Sequence, residues 1–135
     1  MLTLIRARLS KPLIWLVVLY AFASLGHFAH NAEHLAEYPN LPDWLSRALI
    51  YRAWVGITAV GVVGVVLHHT GRQRLALVAL GVYAAIGFDG LLHYTQAPFA
   101  AHTTAMNASI WFEAVAAAAL LGAVVAETRA RFRAT

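Results

Sequence analysis

Four long apolar blocks constrain this chain more than any other feature of its sequence. They cover about residues 13–34, 49–68, 75–93 and 104–126. Each block has roughly the 17–25 residues that a helix needs to cross the hydrocarbon core of a bilayer. Hydrophobic residues make up 61% of the 135 residues and charged residues only 12%, which is too little charge for a soluble domain. The sequence therefore predicts an all-α integral membrane protein with four transmembrane helices in a single domain, residues 1–135.

The connections and the basic residues predict how these helices are arranged. Short connections between successive blocks favour antiparallel neighbours, and so an up-down four-helix bundle. Most basic residues precede the first block, join the second to the third, or follow the fourth: Arg6, Arg8, Lys11, Arg72, Arg74, Arg129, Arg131 and Arg133. Because cytoplasmic loops carry the excess of Lys and Arg, both termini are expected in the cytoplasm. The predicted location is the inner cell membrane, crossed several times.

The net charge of +4 agrees with this sidedness and with contact to anionic lipids. A chain without a soluble basic surface is a poor candidate for binding nucleic acid, so the expected partner is the lipid bilayer. The sequence contains no cysteine, which excludes disulfides, thiolate metal sites and a covalent haem attachment motif.

The N-terminus has one alternative interpretation, a signal peptide. Arg6 and Arg8 would form its basic region, and Ala21-Phe22-Ala23 has the small residues of a cleavage site. The apolar pattern continues past Ala23 into the next polar stretch, which favours a membrane helix instead.

Five of the seven histidines fall at the end of the bundle that is predicted to face outward. On a helical wheel His27, His30 and His34 share one face of the first helix with Asn31 and Glu37, and Glu33 lies at the edge of that face. Asp89 and His93 are four residues apart, which places them on consecutive turns of one face of the third helix. His102 precedes the fourth helix. Imidazole and carboxylate groups are costly near hydrocarbon, so this cluster indicates a functional site.

The cluster predicts a transition-metal site. Imidazole nitrogens suit copper, zinc or iron, and a carboxylate completes a mixed nitrogen and oxygen set. The predicted ligands are His27, His30, His34, Asp89 and His93. Other side chains are expected to orient these ligands by hydrogen bonds, namely Asn31, Glu33, Glu37, His102 and Asn107. The sequence leaves open whether such a site serves an oxidoreductase or a metal-handling protein, and which substrate it meets.

Glu113 lies well inside the fourth block, where a carboxyl group needs a partner or a proton. It is predicted to act as the catalytic residue of the site, either as a proton carrier or as an additional ligand. The alternative is a protonated side chain that hydrogen-bonds to a backbone carbonyl or to Trp111.

Two other functions use the same residues. Haem b could be held between His27, His30 or His34 and His93 on the facing helix, in a quinone-linked redox subunit, since a site near the outer surface would suit quinol oxidation. Alternatively, the chain is an accessory subunit of a larger membrane complex, and its polar cluster contacts a partner. The fourth helix has small residues at every fourth position, Ala114, Ala118, Gly122 and Ala126, which permit close helix approach. This stripe is predicted to seat another helix of the same chain, with a partner protein or a second copy as the alternative.

The pattern Asp89-x-x-x-His93 followed by His102 is similar to the Asp/His/His copper-binding pattern in the membrane C-type subunit of particulate methane and ammonia monooxygenases. The likeness covers residues 89–102, and the interval to the second histidine is shorter here. As a chemical analogy, this resemblance implies copper as the metal.

Overall fold

The structure is a computed structural model that describes residues 10–133. Arg6 and Arg8, which contribute to the predicted orientation, and the last two positions of the predicted domain lie outside the described residues. Between residues 10 and 133 the chain is helical and has no strands. Its α-helices are α1 (Lys11–Glu33), α2 (Arg47–His69), α3 (Gln73–Ile86), α4 (His93–Gln96) and α5 (Thr104–Phe132). Short 3-10 turns cover Leu35–Glu37, Asp89–Leu92 and Phe99–Ala101.

Four segments of the described chain are long and apolar enough to cross a membrane: Lys11–Glu33, Arg47–His69, Gln73–Gln96 and Thr104–Arg131. They correspond one to one to the predicted blocks, so the prediction of an all-helical protein with four membrane-length segments is confirmed. The fourth segment differs most, because it continues beyond the apolar residues to Arg131. An ion pair between Arg131 and Glu127, four residues apart at 2.8 Å, supports these last turns.

Local sequence explains where the long helices begin. Pro12 lies in the first turn of α1, where a missing backbone N–H breaks no helical hydrogen bond. Ser46 caps α2 by accepting a hydrogen bond from the backbone N–H of Leu49 at 3.3 Å. Thr103 caps α5 in the same way, through the N–H of Met106 at 3.2 Å. The tight connection from α2 to α3 contains Gly71 with a φ of 81°, a conformation that favours glycine.

The four membrane-length segments surround one core. α1 packs against α2 and α5, and α3 packs against the same two helices. Near the first residues of α1 the core is apolar, with Leu13, Val17, Leu77, Leu80, Leu120 and Val124. Near the last residues of α1 the buried side chains are polar, and they include Ser24, His27, Asn31, Asn107 and Glu113. The two ends of the bundle therefore have different interiors.

The third segment departs from the predicted regular helix. α3 ends at Ile86, and the N–H groups of Gly87 and Phe88 bond three residues back instead of four. Asp89 consequently lies in a 3-10 turn and His93 begins α4, so the prediction that they occupy consecutive turns of one α-helix is wrong. The break brings the backbone close to other helices, because a Cβ on Gly87 would lie 2.5 Å from the Tyr20 ring.

The small-residue stripe of the fourth helix does not pack within the described chain. Ala114 is buried, whereas Ala118, Gly122 and Ala126 are exposed. A Cβ on Gly122 would meet nothing within 4 Å. The prediction of an intramolecular helix contact is corrected accordingly, because α5 is rotated so that Ile110, Ala117 and Leu120 face the core instead. A contact of the stripe with another chain stays a prediction.

Candidate functional site

The deepest polar feature of the bundle is a pair formed by His27 of α1 and Glu113 of α5. His27 is 2% exposed and Glu113 is 0% exposed. The Nε2 atom of His27 lies 3.7 Å from Oε2 of Glu113, slightly beyond hydrogen-bond length. An imidazole and a carboxyl group, predicted as ligand and proton carrier, thus meet across two helices.

Hydrogen bonds define the tautomer of His27. Its Nδ1 atom lies 3.3 Å from the Ser109 hydroxyl, which donates its own hydrogen to the Met106 carbonyl at 2.9 Å. Because that hydrogen is already used, Nδ1 carries the proton and donates to Ser109. The other nitrogen, Nε2, accepts a hydrogen bond from the side-chain amide of Asn31 at 3.1 Å. His27 is therefore neutral in this arrangement, and the lone pair of Nε2 is directed toward Asn31 and Glu113.

Asn31 connects the two histidines that approach each other from α1 and α4. Its Nδ2 atom donates to Nε2 of His27 and lies 3.3 Å from Nε2 of His93. The two imidazole rings have centroids 5.6 Å apart. The Oδ1 atom of Asn31 is buried and has no hydrogen-bond partner. One amide group therefore organises both imidazoles and leaves an unused acceptor.

The 3-10 turn brings acidic groups to the same place. A Cβ on Gly90 would lie 3.2 Å from Nε2 of His27 and 3.4 Å from Oε2 of Glu113, so the backbone of this turn packs directly on the pair. Asp89 precedes Gly90, and its Oδ1 atom is buried without a partner. Both carboxyl oxygens of Glu113 are also buried without a hydrogen bond. Buried acceptors that lack partners are uncommon and costly, and they are typical of functional sites.

A cavity of about 390 Å³ lies beside this cluster, between α1, α2 and the residues 89–93. Four polar side chains line it, those of His27, Asn31, Asp89 and His93. Most of the other lining residues are large and apolar, such as Phe28, Trp44, Leu45 and Ile50. Its size is in the range that holds a small organic ligand. A mostly apolar cavity with a few polar groups together is the usual form of a ligand-binding site in a membrane helix bundle.

Tyr38 covers the outer side of the cluster. Its ring is 5% exposed and its centroid lies 4.9 Å from that of His93. Burial raises the pKa of the Tyr38 hydroxyl to about 12. The hydroxyl therefore keeps its proton, and it forms a hydrogen bond with Nδ1 of His30 at 2.9 Å.

The remaining predicted residues of α1 lie near its surface. His34 stacks on His30, with ring centroids 4.6 Å apart, and its Nδ1 atom bonds Glu37 at 2.9 Å. Glu33 accepts hydrogen bonds from Arg47 and from the Tyr51 hydroxyl, at 2.7 Å in each case. Glu37 therefore bonds the imidazole of His34, whereas Glu33 connects α1 to α2; their role in orienting metal ligands stays a prediction.

His102 and Asn107 hold the loop before α5. His102 is 6% exposed, and its Nδ1 atom donates to the Pro98 carbonyl at 3.1 Å. Asn107 donates to the carbonyls of Phe99 and His102, and it accepts a hydrogen bond from the Tyr94 hydroxyl at 2.8 Å. The ring of His102 lies 6.1 Å from that of His93, and its Nε2 atom is buried without a partner. The hydrogen bonds of Asn107 are therefore made to the loop and Tyr94.

The five predicted metal ligands are separated in this arrangement. His27 and His93 lie together, His30 and His34 form a stack nearer the surface, and Asp89 lines the cavity. Within the described residues, no three or more His, Cys, Asp and Glu side chains converge so that they could hold one metal ion. The amide of Asn31 lies between Nε2 of His27 and Nε2 of His93, one of the imidazole pairs that would hold a haem. Metal and haem binding both stay predictions from the sequence.

Three further residues belong to the cluster or lie beside it, and the sequence analysis does not identify them. Ser109 fixes the tautomer of His27, Gly90 gives the close backbone approach, and Ser24 is fully buried one turn before His27 with an unpaired hydroxyl. Ser109 lies four residues before Glu113, and this helical spacing was the available signal. No comparable pattern indicated Gly90, because its role depends on the break after α3.

The chain matches no protein-family model, no curated protein and no solved structure. The likeness to the copper-binding pattern of the monooxygenase subunit therefore depends on the spacing of residues 89–102 alone.

Proposed function

We propose that this protein binds a small, neutral, lipid-soluble molecule that carries a hydroxyl group. The observation that carries the proposal is the cavity, which joins an apolar wall to a buried cluster containing unpaired acceptors and the His27–Glu113 pair. The apolar body of the ligand would lie against Trp44 and Ile50, and its hydroxyl would reach the polar end. Such a ligand can enter from the bilayer without crossing water.

The charges around the cavity favour a neutral head group. None of the side chains lining it belongs to Lys or Arg, and Asp89 is acidic. A phosphate or carboxylate would have to leave water without a cation to pair with. Burying an uncharged polar group without a hydrogen bond already costs about 2–7 kcal/mol, and burying an unpaired ion costs more. A hydroxyl group has no such cost once it is hydrogen-bonded.

The polarity of the hydrogen bonds favours a donor on the ligand. The Nε2 atoms of His27 and His93 already face the amide of Asn31. The unused groups on lining residues are acceptors, Oδ1 of Asn31 and Oδ1 of Asp89. A hydroxyl hydrogen can satisfy one of them, whereas a ligand with acceptors alone, such as an ether, cannot.

The His27–Glu113 pair gives this site an acid and a base that are shielded from water. Nε2 of His27 accepts a hydrogen bond from Asn31 and lies 3.7 Å from Oε2 of Glu113, whose two oxygens make no hydrogen bond. When the Asn31 amide turns away from Nε2, a proton on Glu113 can move to His27 over a short distance, and Glu113 is proposed as the proton carrier that the sequence predicts. This arrangement suits proton transfer to or from a ligand bound next to His27.

Binding can be tested with two probes that differ in one hydrogen-bond donor, a long-chain alkyl phenol and its methyl ether. Trp44 lines the cavity, so its fluorescence in the detergent-purified protein reports occupancy. We expect the phenol to bind at least ~5-fold more tightly than the ether, since a donor lost to a buried acceptor costs about 1–3 kcal/mol. Trp44→Phe identifies the part of the signal that comes from this residue.

Two variants make the binding test specific. Ile50→Trp fills the apolar wall and is expected to abolish binding of both probes, while Asp89→Ala removes an acceptor and is expected to reduce the preference for the phenol. His69→Ala, at the other end of α2, should leave both affinities unchanged. Equal affinity for the two probes, or unchanged binding in Ile50→Trp, would contradict the proposal.

We also propose that the helices form an up-down bundle in the inner membrane with both termini in the cytoplasm. Support comes from the basic residues at one end, Lys11, Arg72, Arg74 and Arg129 among them. Because the chain has no native cysteine, Thr70→Cys and Asn40→Cys give single-cysteine proteins. A membrane-impermeant maleimide applied to intact cells should label Asn40→Cys alone. Labelling of Thr70→Cys alone would reverse the proposed orientation.

Transition-metal binding is a second proposal, favoured by the 5.6 Å separation of the His27 and His93 rings beside Asp89. A metal there requires the amide of Asn31 to rotate away from both Nε2 atoms. Elemental analysis after gentle chelator washing tests this. The sequence-based ligand set predicts loss of copper, zinc or iron in His34→Ala and in His93→Ala, but not in His69→Ala. Equal metal content in all three variants would remove the assignment.

A further inference from the structure

A second groove lies at the opposite end of the bundle, between the first turns of α1 and the last turns of α2. Its volume is about 440 Å³. Lys11, His68 and His69 line one part of it, and Trp15, Val18 and Val65 belong to its apolar wall. Trp15 is 71% exposed, so this wall faces the surroundings of the helices. The groove shares no residue with the cavity beside His27.

The end of the bundle that holds this groove carries almost only positive charge. Arg72 lies in the connection from α2 to α3, Arg74 lies in the first turn of α3, and Arg129 lies near the end of α5. Of the six acidic residues in the sequence, Glu127 alone belongs to this end, and it pairs with Arg131 at 2.8 Å. Among the described residues, the one acidic side chain at this end is paired with Arg131, so an anion that approaches Lys11 meets a mainly positive field.

We propose that the groove binds an anionic phospholipid. The phosphate would lie at Lys11 and His69, and one acyl chain would follow Trp15, Val18 and Val65 toward the membrane centre. Two properties support a lipid rather than a soluble anion. The apolar wall continues from the cationic end along membrane-length helices, and the indole of Trp15 suits the boundary between head groups and hydrocarbon. Basic pockets between membrane helices recognise anionic head groups in this manner.

Brominated lipids test the proposal, because bromine on an acyl chain quenches a tryptophan that it contacts. The full chain is reconstituted in phosphatidylcholine vesicles containing increasing fractions of brominated phosphatidylglycerol or, in parallel, brominated phosphatidylcholine. The emission of Trp15 is obtained as the difference between the parent protein and Trp15→Phe. We expect half-maximal quenching at a several-fold lower fraction of phosphatidylglycerol than of phosphatidylcholine.

The controls separate a built site from a general surface charge. Lys11→Gln should remove the preference, and Lys11→Arg should keep it. Arg129→Gln removes one positive charge from the same end but not from the groove, and it should leave the preference unchanged. Inorganic phosphate in the buffer should not displace the lipid. Equal quenching by the two lipids, or equal loss of preference in Lys11→Gln and Arg129→Gln, would overturn the proposal. The helical content of each variant is checked by circular dichroism.

Discussion

The interior of the bundle is apolar at one end and polar at the other. In the apolar half, defined by Leu13, Val17, Leu77, Leu80, Leu120 and Val124, hydrocarbon side chains fill most of the space between helices, although the same core cluster includes Tyr20 and Tyr83, whose buried hydroxyls have no partner. In the polar half, defined by Ser24, His27, Asn31, Asp89 and Glu113, several buried oxygens have no hydrogen-bond partner. Packing without polar atoms stabilises a bundle at no desolvation cost, whereas unpaired polar atoms lower stability. We therefore expect the apolar half to hold the helices together, whereas the polar half is the part of the bundle for which we propose ligand binding.

The largest expected effect is in the apolar half. Leu80 is 0% exposed, and Leu80→Ala leaves a cavity that its neighbours cannot fill. We expect the free energy of unfolding to fall by about 3 kcal/mol, within the lower half of the range for buried leucines, because unfolded helices in hydrocarbon recover part of the lost contacts. Unfolding in mixed micelles with increasing dodecyl sulfate measures this. A loss as small as that of a surface variant would show that the apolar half does not hold the bundle.

Gly87 tests the boundary between the two halves. A Cβ there would lie 2.5 Å from Tyr20 and 2.7 Å from the Cβ of Ala117, so Gly87→Ala overpacks α1, α3 and α5. We expect a loss of about 2 kcal/mol in the same assay. Gly122→Ala is the matched control, since its Cβ would meet nothing within 4 Å. Similar stabilities for the two variants would contradict the close approach at Gly87.

Glu113→Leu tests whether the polar half contributes to stability. Replacing a buried, unpaired carboxyl group by a hydrocarbon of similar volume should change the free energy of unfolding by less than about 1 kcal/mol, or increase it. In the parent protein we expect phenol binding to produce an infrared difference band of a carboxylic acid. This band should be absent when the phenol binds to Glu113→Leu. A large destabilisation would show that Glu113 supports the fold. An unchanged band would assign the signal to another carboxyl group.

The smallest expected effect is at the surface end of the polar half. His34 is exposed and bonds Glu37, whereas His27 lines the cavity. His34→Ala should leave both stability and phenol affinity unchanged. His27→Ala should weaken phenol binding at least ~5-fold through loss of the hydrogen bond that positions Asn31. His34→Ala also separates the two proposed functions, because the metal proposal requires His34 and the phenol proposal does not. A strong effect of His34→Ala on phenol binding would contradict the position of the site.

Much of the polar cluster could be predicted because helix periodicity is local. His27, Asn31 and the surface pair of His34 with Glu37 follow from spacings of three and four residues on one helix. Glu113 was singled out by its depth alone. The different burial of the three histidines could not be predicted. A helical wheel places His27, His30 and His34 on one face, but it does not contain the neighbouring helix that buries His27 alone.

The sequence by itself determined the four membrane-length helices, since each depends on the length and hydropathy of one continuous segment and on no other part of the chain. It also placed an acid and several imidazoles where a bilayer makes them costly. The tertiary structure decided which of them meet. The break after Ile86, the rotation of α5 and the close approach at Gly90 bring His27, His93 and Glu113 together and leave His34 outside. These contacts depend on how helices pack across the bundle, which local periodicity does not specify.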